Sequence, residues 1–283
     1  MSILSATILG IIQGLTEFLP VSSSGHLVLA QELLSVKEPG LSFAIWAHVG
    51  TTGSTLIFLW KEITWLLRGI LHSGRPRESE LRGSIDACRD PWRVIGLVLL
   101  GSVPAALVGL AFNDLIEEAF SSPLLASSGL LFTGFVLFLY GLRKGRLKAD
   151  NRNLEPFETV NWKRALTAGV AQALAVLPGV SRSGMTIVAG VSSGMHREDA
   201  ARFSFFLALV AVAGGALLDV RAAIAAETPV FTAAGAVGAA AALLTGLAAL
   251  ALVFRMVRRG NFAVFAYYCW AAGLAGMFLS LRG

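Results

Sequence analysis

The sequence predicts an all-α, polytopic integral membrane protein: six full transmembrane helices plus two re-entrant broken-helix hairpins, arranged as an inverted-topology repeat. Three observations lead there. Of 283 residues, 55% are hydrophobic and only 14% are charged, with a mean hydropathy of +0.70; a soluble domain has too little interior for so much apolar surface. The apolar residues fall into runs long enough to cross about 30 Å of hydrocarbon. One short string also occurs twice, about 160 residues apart, and each copy sets polar and ionisable groups inside an otherwise apolar stretch.

Along the chain, the first apolar region, Ile3 to Ala30, is interrupted by a Pro/Ser/Gly motif and reads as a re-entrant hairpin. Irregular backbone at membrane depth is tolerated only where it is buried in protein or lines a wet cavity. A secretory leader is disfavoured, because no basic region precedes the apolar stretch and an acidic residue follows it. Three spans come next: Phe43 to Trp60, Val94 to Phe112 and Leu124 to Leu142. The second broken region, Ala165 to Val191, precedes spans at Phe203 to Leu218, Phe231 to Phe254 and Phe262 to Leu281. The Phe203 span is short, so either Arg202 snorkels or the helix extends. Residues 1–142 then form one repeat, 160–283 the other, and 143–159 a cytoplasmic connection.

Orientation follows from the basic residues, which accumulate in short cytoplasmic loops. Lys61 to Arg93 carries seven, Arg143 to Arg164 another seven, and Arg255, Arg258 and Arg259 form a third group, whereas Asp114 to Pro123 carries none. The loops around Lys37, Glu118 and Arg221 are therefore expected outside. Opposite insertion of the two hairpins follows, with their tips meeting near the midplane. The net charge of +5 needs no nucleic acid partner; it is the cytoplasmic bias plus attraction to anionic lipid. Cys88 and Cys269 suggest neither a disulfide nor a zinc site.

The repeated string places the chemistry. It reads Gln13-Gly-Leu-Thr-Glu17-Phe-Leu-Pro-Val-Ser22-Ser23-Ser24-Gly25-His26, and again Gln172-Ala-Leu-Ala-Val-Leu-Pro-Gly179-Val-Ser181-Arg182-Ser183-Gly184-Met185. Ionisable groups at membrane depth are costly, which makes Glu17, His26 and Arg182 functional candidates. Gln13, Gln172 and Glu17 are expected to face a shared cavity. Each Ser-x-Ser-Gly leads into a short helix whose free N–H groups attract anions, phosphate above all. Arg182 adds a planar cation suited to phosphate oxygens. The expected substrate-binding set is Gln13, Ser22, Ser24, Gly25, Gly179, Ser181, Ser183, Gly184 and Thr186. Glu17 and His26, the other ionisable residues close by, supply a base and an acid or alternative nucleophile for phosphoryl transfer, beside the hydroxyls of Ser22, Ser23 and Ser24.

These two strings, with the stretch Arg202-Phe-Ser-Phe, resemble over the full chain the signature motifs of the undecaprenyl-pyrophosphate phosphatases, also called bacitracin-resistance proteins. The resemblance implies a multi-pass enzyme of the bacterial inner membrane, acting toward the periplasm, that removes the terminal phosphate of the C55 isoprenyl pyrophosphate carrier of peptidoglycan synthesis. It also implies a divalent cation, Mg2+ or Ca2+, held by Glu17 and Gln13, and it singles out Ser23 among the hydroxyls, so that Glu17, Ser23, His26 and Arg182 form the expected catalytic set, with the nucleophile open between Ser23, His26 and a metal-bound water. The family's first acidic position is Gln13 here, so any metal at that point meets a neutral oxygen. The family's third hydroxyl is commonly Thr and is Ser24 here, and a proline often found in the following span is Val210. Assembly stays open between a monomer and a homodimer. Inverted repeats and broken helices are equally the marks of a membrane transporter or flippase for a phosphorylated lipid or anion, so that reading is carried beside the hydrolase. His48, near Thr51, Thr52 and Ser54, is expected to pack or face the bundle, and His72 and His196 to lie in loops.

Overall fold

The computed structural model describes residues 1–34, 40–71, 90–143, 160–225, 231–259 and 262–281. Among them are twelve helices and no strand. The first half holds α1 (Ile3–Phe18), α2 (Ser23–Leu33), α3 (Gly40–Phe58), α4 (Trp60–Leu71), α5 (Pro91–Ala111), α6 (Asn113–Phe120) and α7 (Pro123–Arg143). The second holds α8 (Trp162–Leu174), α9 (Arg182–Ser192), α10 (Arg197–Ala225), α11 (Ala233–Arg259) and α12 (Ala263–Ser280). Five helices, α5, α7, α10, α11 and α12, are long and apolar enough to cross a membrane. The expected Phe43 span is occupied by α3, which carries Thr51, Thr52, Ser54 and Thr55 along its second half. The chain is thus a polytopic, all-helical membrane protein.

Both broken regions form pairs of short helices that pack on each other, α1 with α2 and α8 with α9. Pro20 lies in the break between α1 and α2, where it has no N–H to donate to a helix. The following helix restarts on Ser22, whose Oγ accepts from the Gly25 amide at 3.3 Å. In the second pair, Ser181 takes the same role, its Oγ accepting from the Gly184 amide at 3.1 Å. Serine at these caps satisfies one of the amides that every helix start leaves unpaired.

The halves are interwoven. The first helix of each packs on a long helix of the other: α1 lies along α11, and α8 along α5. Glycine makes both crossings possible. A Cβ on Gly10 would collide with the Gly238 carbonyl, and one on Gly169 would collide with the Gly101 carbonyl. Gly10 and Gly169 occupy aligned positions of the repeat, and close approach through small residues is how helices associate where lipid removes the hydrophobic drive. The last helices of the halves, α7 and α12, pack against each other, again over glycines, with Gly134 against Trp270 and Gly273 against Leu131.

Several expectations change. The Phe203 span is the middle of a 29-residue helix, α10. Arg202 does not snorkel to solvent: it is buried, ion-paired with Glu62 at 3.4 Å, Asp199 at 3.5 Å and Glu198 at 3.6 Å, and stacked over Phe254. Charged residues that end an apolar run in sequence can thus continue a helix when they pair inside it. Trp60 starts α4 rather than ending α3, and the acidic connection after Asp114 lies largely in the short amphipathic helix α6. Arg221 stands within α10 rather than in a loop. Cys269 is buried as a free thiol. Lys37, His72, Cys88 and most of the 143–159 connection lie outside the described residues.

Candidate active site

The two tips meet, and they do so reciprocally. Numbered along the repeat, Pro20 aligns with Gly179, Ser23 with Arg182, and Gly25 with Gly184. A Cβ on Gly25 would lie 3.0 Å from the Gly179 Cα, and one on Gly184 would lie 3.2 Å from the Pro20 Cβ. Each tip's glycine therefore seats against the other tip's break. Hydrogen bonds repeat the pattern: Ser22 and Ser24 hydroxyls are 3.1 Å apart, Ser181 and Ser183 hydroxyls 3.3 Å. The Gly179 amide donates to Ser24 Oγ at 3.3 Å. Its counterpart at Pro20 has no N–H, and Ser183 instead donates to the Leu19 carbonyl at 3.0 Å.

One carboxylate sits at this junction. Glu17, at the end of α1, is buried and receives bonds from both tips. Arg182 Nη2 pairs with its Oε1. Ser23 Oγ donates to its Oε2 at 2.5 Å, and Gln13 Nε2, one turn earlier on α1, donates to the same oxygen at 3.0 Å. Positions 23 and 182 are repeat mates, so the aligned sites on the two tips converge on a single acid. A buried charge is tolerated when it is paired and hydrogen-bonded in this way. Two atoms here stay unsatisfied among the described residues, Arg182 Nη1 and Gln13 Oε1. A buried donor and acceptor without partners, flanking a carboxylate, are what a site for an anion and a cation leaves when only protein is counted.

A pocket opens beside Glu17 and Arg182, walled by Thr51, Thr52 and Thr55 of α3 and by Ala208, Leu209 and Val212 of α10. Thr51 and Thr52 are legible in the sequence as polar residues near His48 but not as pocket walls, and Thr55 carries no signal of its own. His48 itself is half-buried on α3. Thr186 turns away from the junction: its Oγ1 donates to the Arg182 carbonyl and lies 2.5 Å from Ser204 Oγ, tying α9 to α10. Gly179 holds a left-handed φ of 82°, where a side chain is strained, and its carbonyl accepts from Thr133 Oγ1 at 3.0 Å. Thr133 also accepts from the Ser181 amide at 2.9 Å. This clamp from α7 had no sequence signal, being one threonine in an apolar span.

Two expected members stand apart. His26, one turn beyond Ser23, makes no hydrogen bond or ion pair with Glu17, Ser23 or Arg182 among the described residues; its partners are the Ser22 carbonyl and Tyr268. Gln172 is buried, but its amide has no partner among the described residues, and it does not line the pocket beside Glu17. The acid that Gln13 bonds has no counterpart in the second copy, where the aligned position is Val176.

Fold and site together define a polytopic membrane protein whose reactive groups are gathered where two broken-helix tips meet. Residues 6–275 match the family model described as bacitracin resistance protein BacA, and the chain belongs to that family. It is 38% identical over 274 residues to an undecaprenyl-diphosphatase of Desulfatibacillum aliphaticivorans, covering 95% of this chain and 96% of that one. It is 40% identical over 285 residues to an undecaprenyl-diphosphatase of Syntrophotalea carbinolica, covering 99% of each. The comparisons favour the hydrolase over the carrier.

Proposed function

We propose that this chain hydrolyses undecaprenyl pyrophosphate to undecaprenyl phosphate and inorganic phosphate, with Ser23 as nucleophile and Glu17 as its base. The observation that carries the roles is the 2.5 Å bond from Ser23 Oγ to Glu17 Oε2, the pairing by which a carboxylate activates a hydroxyl. Ser23 Oγ attacks the terminal phosphorus and its proton passes to Glu17. The bond from phosphorus to the bridging oxygen breaks, and undecaprenyl phosphate leaves. Water then cleaves the phosphoserine, releasing inorganic phosphate and restoring the hydroxyl. Arg182 offers Nη1 to the phosphate oxygens, and the starts of α2 and α9 stabilise the charge that develops there. Substrate contacts come from Ser22, Ser24, Ser181 and Ser183 with the backbone at Gly25 and Gly184.

A divalent cation fits the donors present. Gln13 Oε1 is a buried oxygen without a partner, and beside it stands the Glu17 carboxylate; Mg2+ commonly takes only one or two protein oxygens and completes its shell with phosphate and water. Bound there, the ion would neutralise phosphate charge. The inverted-repeat architecture and an opening toward the periplasmic face of the inner membrane belong to the same reading. The reciprocal packing of α1 on α11 and α8 on α5 supports the repeat, while the periplasmic opening rests on the family resemblance and the distribution of basic residues.

The test is release of inorganic phosphate from C55 or C15 isoprenyl pyrophosphate by purified protein, followed by acid quench and analysis for phosphoserine. A phosphate trapped on Ser23 is the expected result. Full turnover in a Ser23→Ala variant would remove Ser23 as nucleophile.

A further inference from the structure

We infer that Tyr268, on the last helix of the second half, is the positioning residue for His26; the inference rests on the reading that His26 serves the reaction. The Nδ1 of His26 lies 2.7 Å from the Ser22 carbonyl oxygen. A carbonyl only accepts, so Nδ1 carries the hydrogen, and the neutral ring must present a lone pair at Nε2. That nitrogen lies 2.8 Å from the Tyr268 hydroxyl. The two rings are stacked, with parallel planes at an interplanar angle of 3° and centroids 5.5 Å apart. Backbone fixes one nitrogen and a side chain from the other half of the molecule holds the second.

The choice of a phenol matters. A hydroxyl both donates and accepts: it gives its hydrogen to Nε2 when the ring is neutral, and takes one from Nε2–H when the ring is an imidazolium. Tyr268 thus follows His26 through a proton cycle without letting the ring turn. Its hydroxyl can also yield Nε2 to a phosphate oxygen that comes within reach. In the present arrangement Nε2 is held by Tyr268 rather than turned to Glu17, which explains why His26 stands apart from the carboxylate cluster.

The chain has four histidines, few enough for 15N imidazole spectra of the full-length protein in detergent. The His26 signals, assigned by their loss in His26→Ala, should show Nδ1 protonated and Nε2 hydrogen-bonded. In Tyr268→Phe the Nε2 resonance should move toward that of a free imidazole nitrogen while the melting temperature holds. Turnover should fall about ten-fold, the effect of one lost charge-relevant hydrogen bond, with KM within two-fold. Tyr268→Gln, which keeps a donor, should recover part of the loss. An unmoved Nε2 resonance in Tyr268→Phe, or unchanged turnover beside an inactive His26→Ala, would overturn the inference. Full activity in His26→Ala would instead sink the role given to His26, leaving the spectroscopic bond to be judged by itself. Should Tyr268→Phe not fold, the Nε2 resonance of Tyr268→Gln decides: it must remain hydrogen-bonded.

Discussion

At the first tip the chain places Pro20, Ser23 and His26; at the second, the aligned positions hold Gly179, Arg182 and Met185. The serines that cap each helix and the glycines that let the tips touch are common to both. What differs is the chemistry carried at the matched points: hydroxyl against guanidinium, acid against Val176, imidazole against thioether. The two tips share a frame of caps and glycines, and the unlike residues at the matched points make their junction asymmetric. The strain is asymmetric too. Ser22 takes φ 67°, the only positive value outside glycine among the described residues, while its mate Ser181 is relaxed at φ −74°. The strained backbone is thus confined to the tip that carries Ser23.

The comparison breaks most severely at position 182. Arg182→Ala should cut phosphate release by about 10² to 10⁴ fold, since it removes the cation that meets charge developing on phosphorus; a lower-than-ten-fold loss would show that Arg182 only pairs with Glu17. Exchanging the tips sharpens the point. Arg182→Ser alone leaves Glu17 buried and unpaired, a cost of about 3 to 5 kcal/mol. The double variant Ser23→Arg with Arg182→Ser should recover much of that stability in a thermal melt, because either mate reaches the same carboxylate, yet stay as inactive as the single variant. Smaller effects come from the crossings. Gly10→Ala and Gly169→Ala should each lose about 1 to 3 kcal/mol in denaturant titrations through the forced shift of a neighbouring carbonyl, and by similar amounts if the two crossings are equivalent. The smallest effect carries a sign. Ser22→Gly should leave stability unchanged or raise it by up to about 1 kcal/mol as strain is relieved, whereas Ser181→Gly should lower it by about 0.5 kcal/mol.

Much of this was readable from residues alone, for a physical reason. Glu17 and Arg182 announce themselves because ionisable groups in an apolar run need a partner, and Ser23 stands out from its neighbouring serines chiefly through the family resemblance. Thr133, Tyr268, Ser204 and the threonines of α3 did not, since a single hydroxyl in a span is satisfied by its own helix unless rotation brings it to a neighbour, and rotation is set by packing. Thr55, for instance, bonds the Thr51 carbonyl while still walling the pocket. For α10 the sequence left open whether Arg202 snorkels or the helix extends, and it extends because Glu198 and Arg202 find partners on α11 and α4. His26 was placed with Glu17 because both fall in one motif; its ring direction is a matter of who accepts its hydrogen.

The glycine crossings reach beyond packing density. With α1 seated on α11 and α8 on α5, neither half encloses an interior of its own, and each lends its opening helix to the other. A polypeptide severed between the halves would give two fragments that are incomplete apart and complementary together. Insertion of α11 into the bilayer must therefore precede the final seating of α1, so a helix made early waits for one made late.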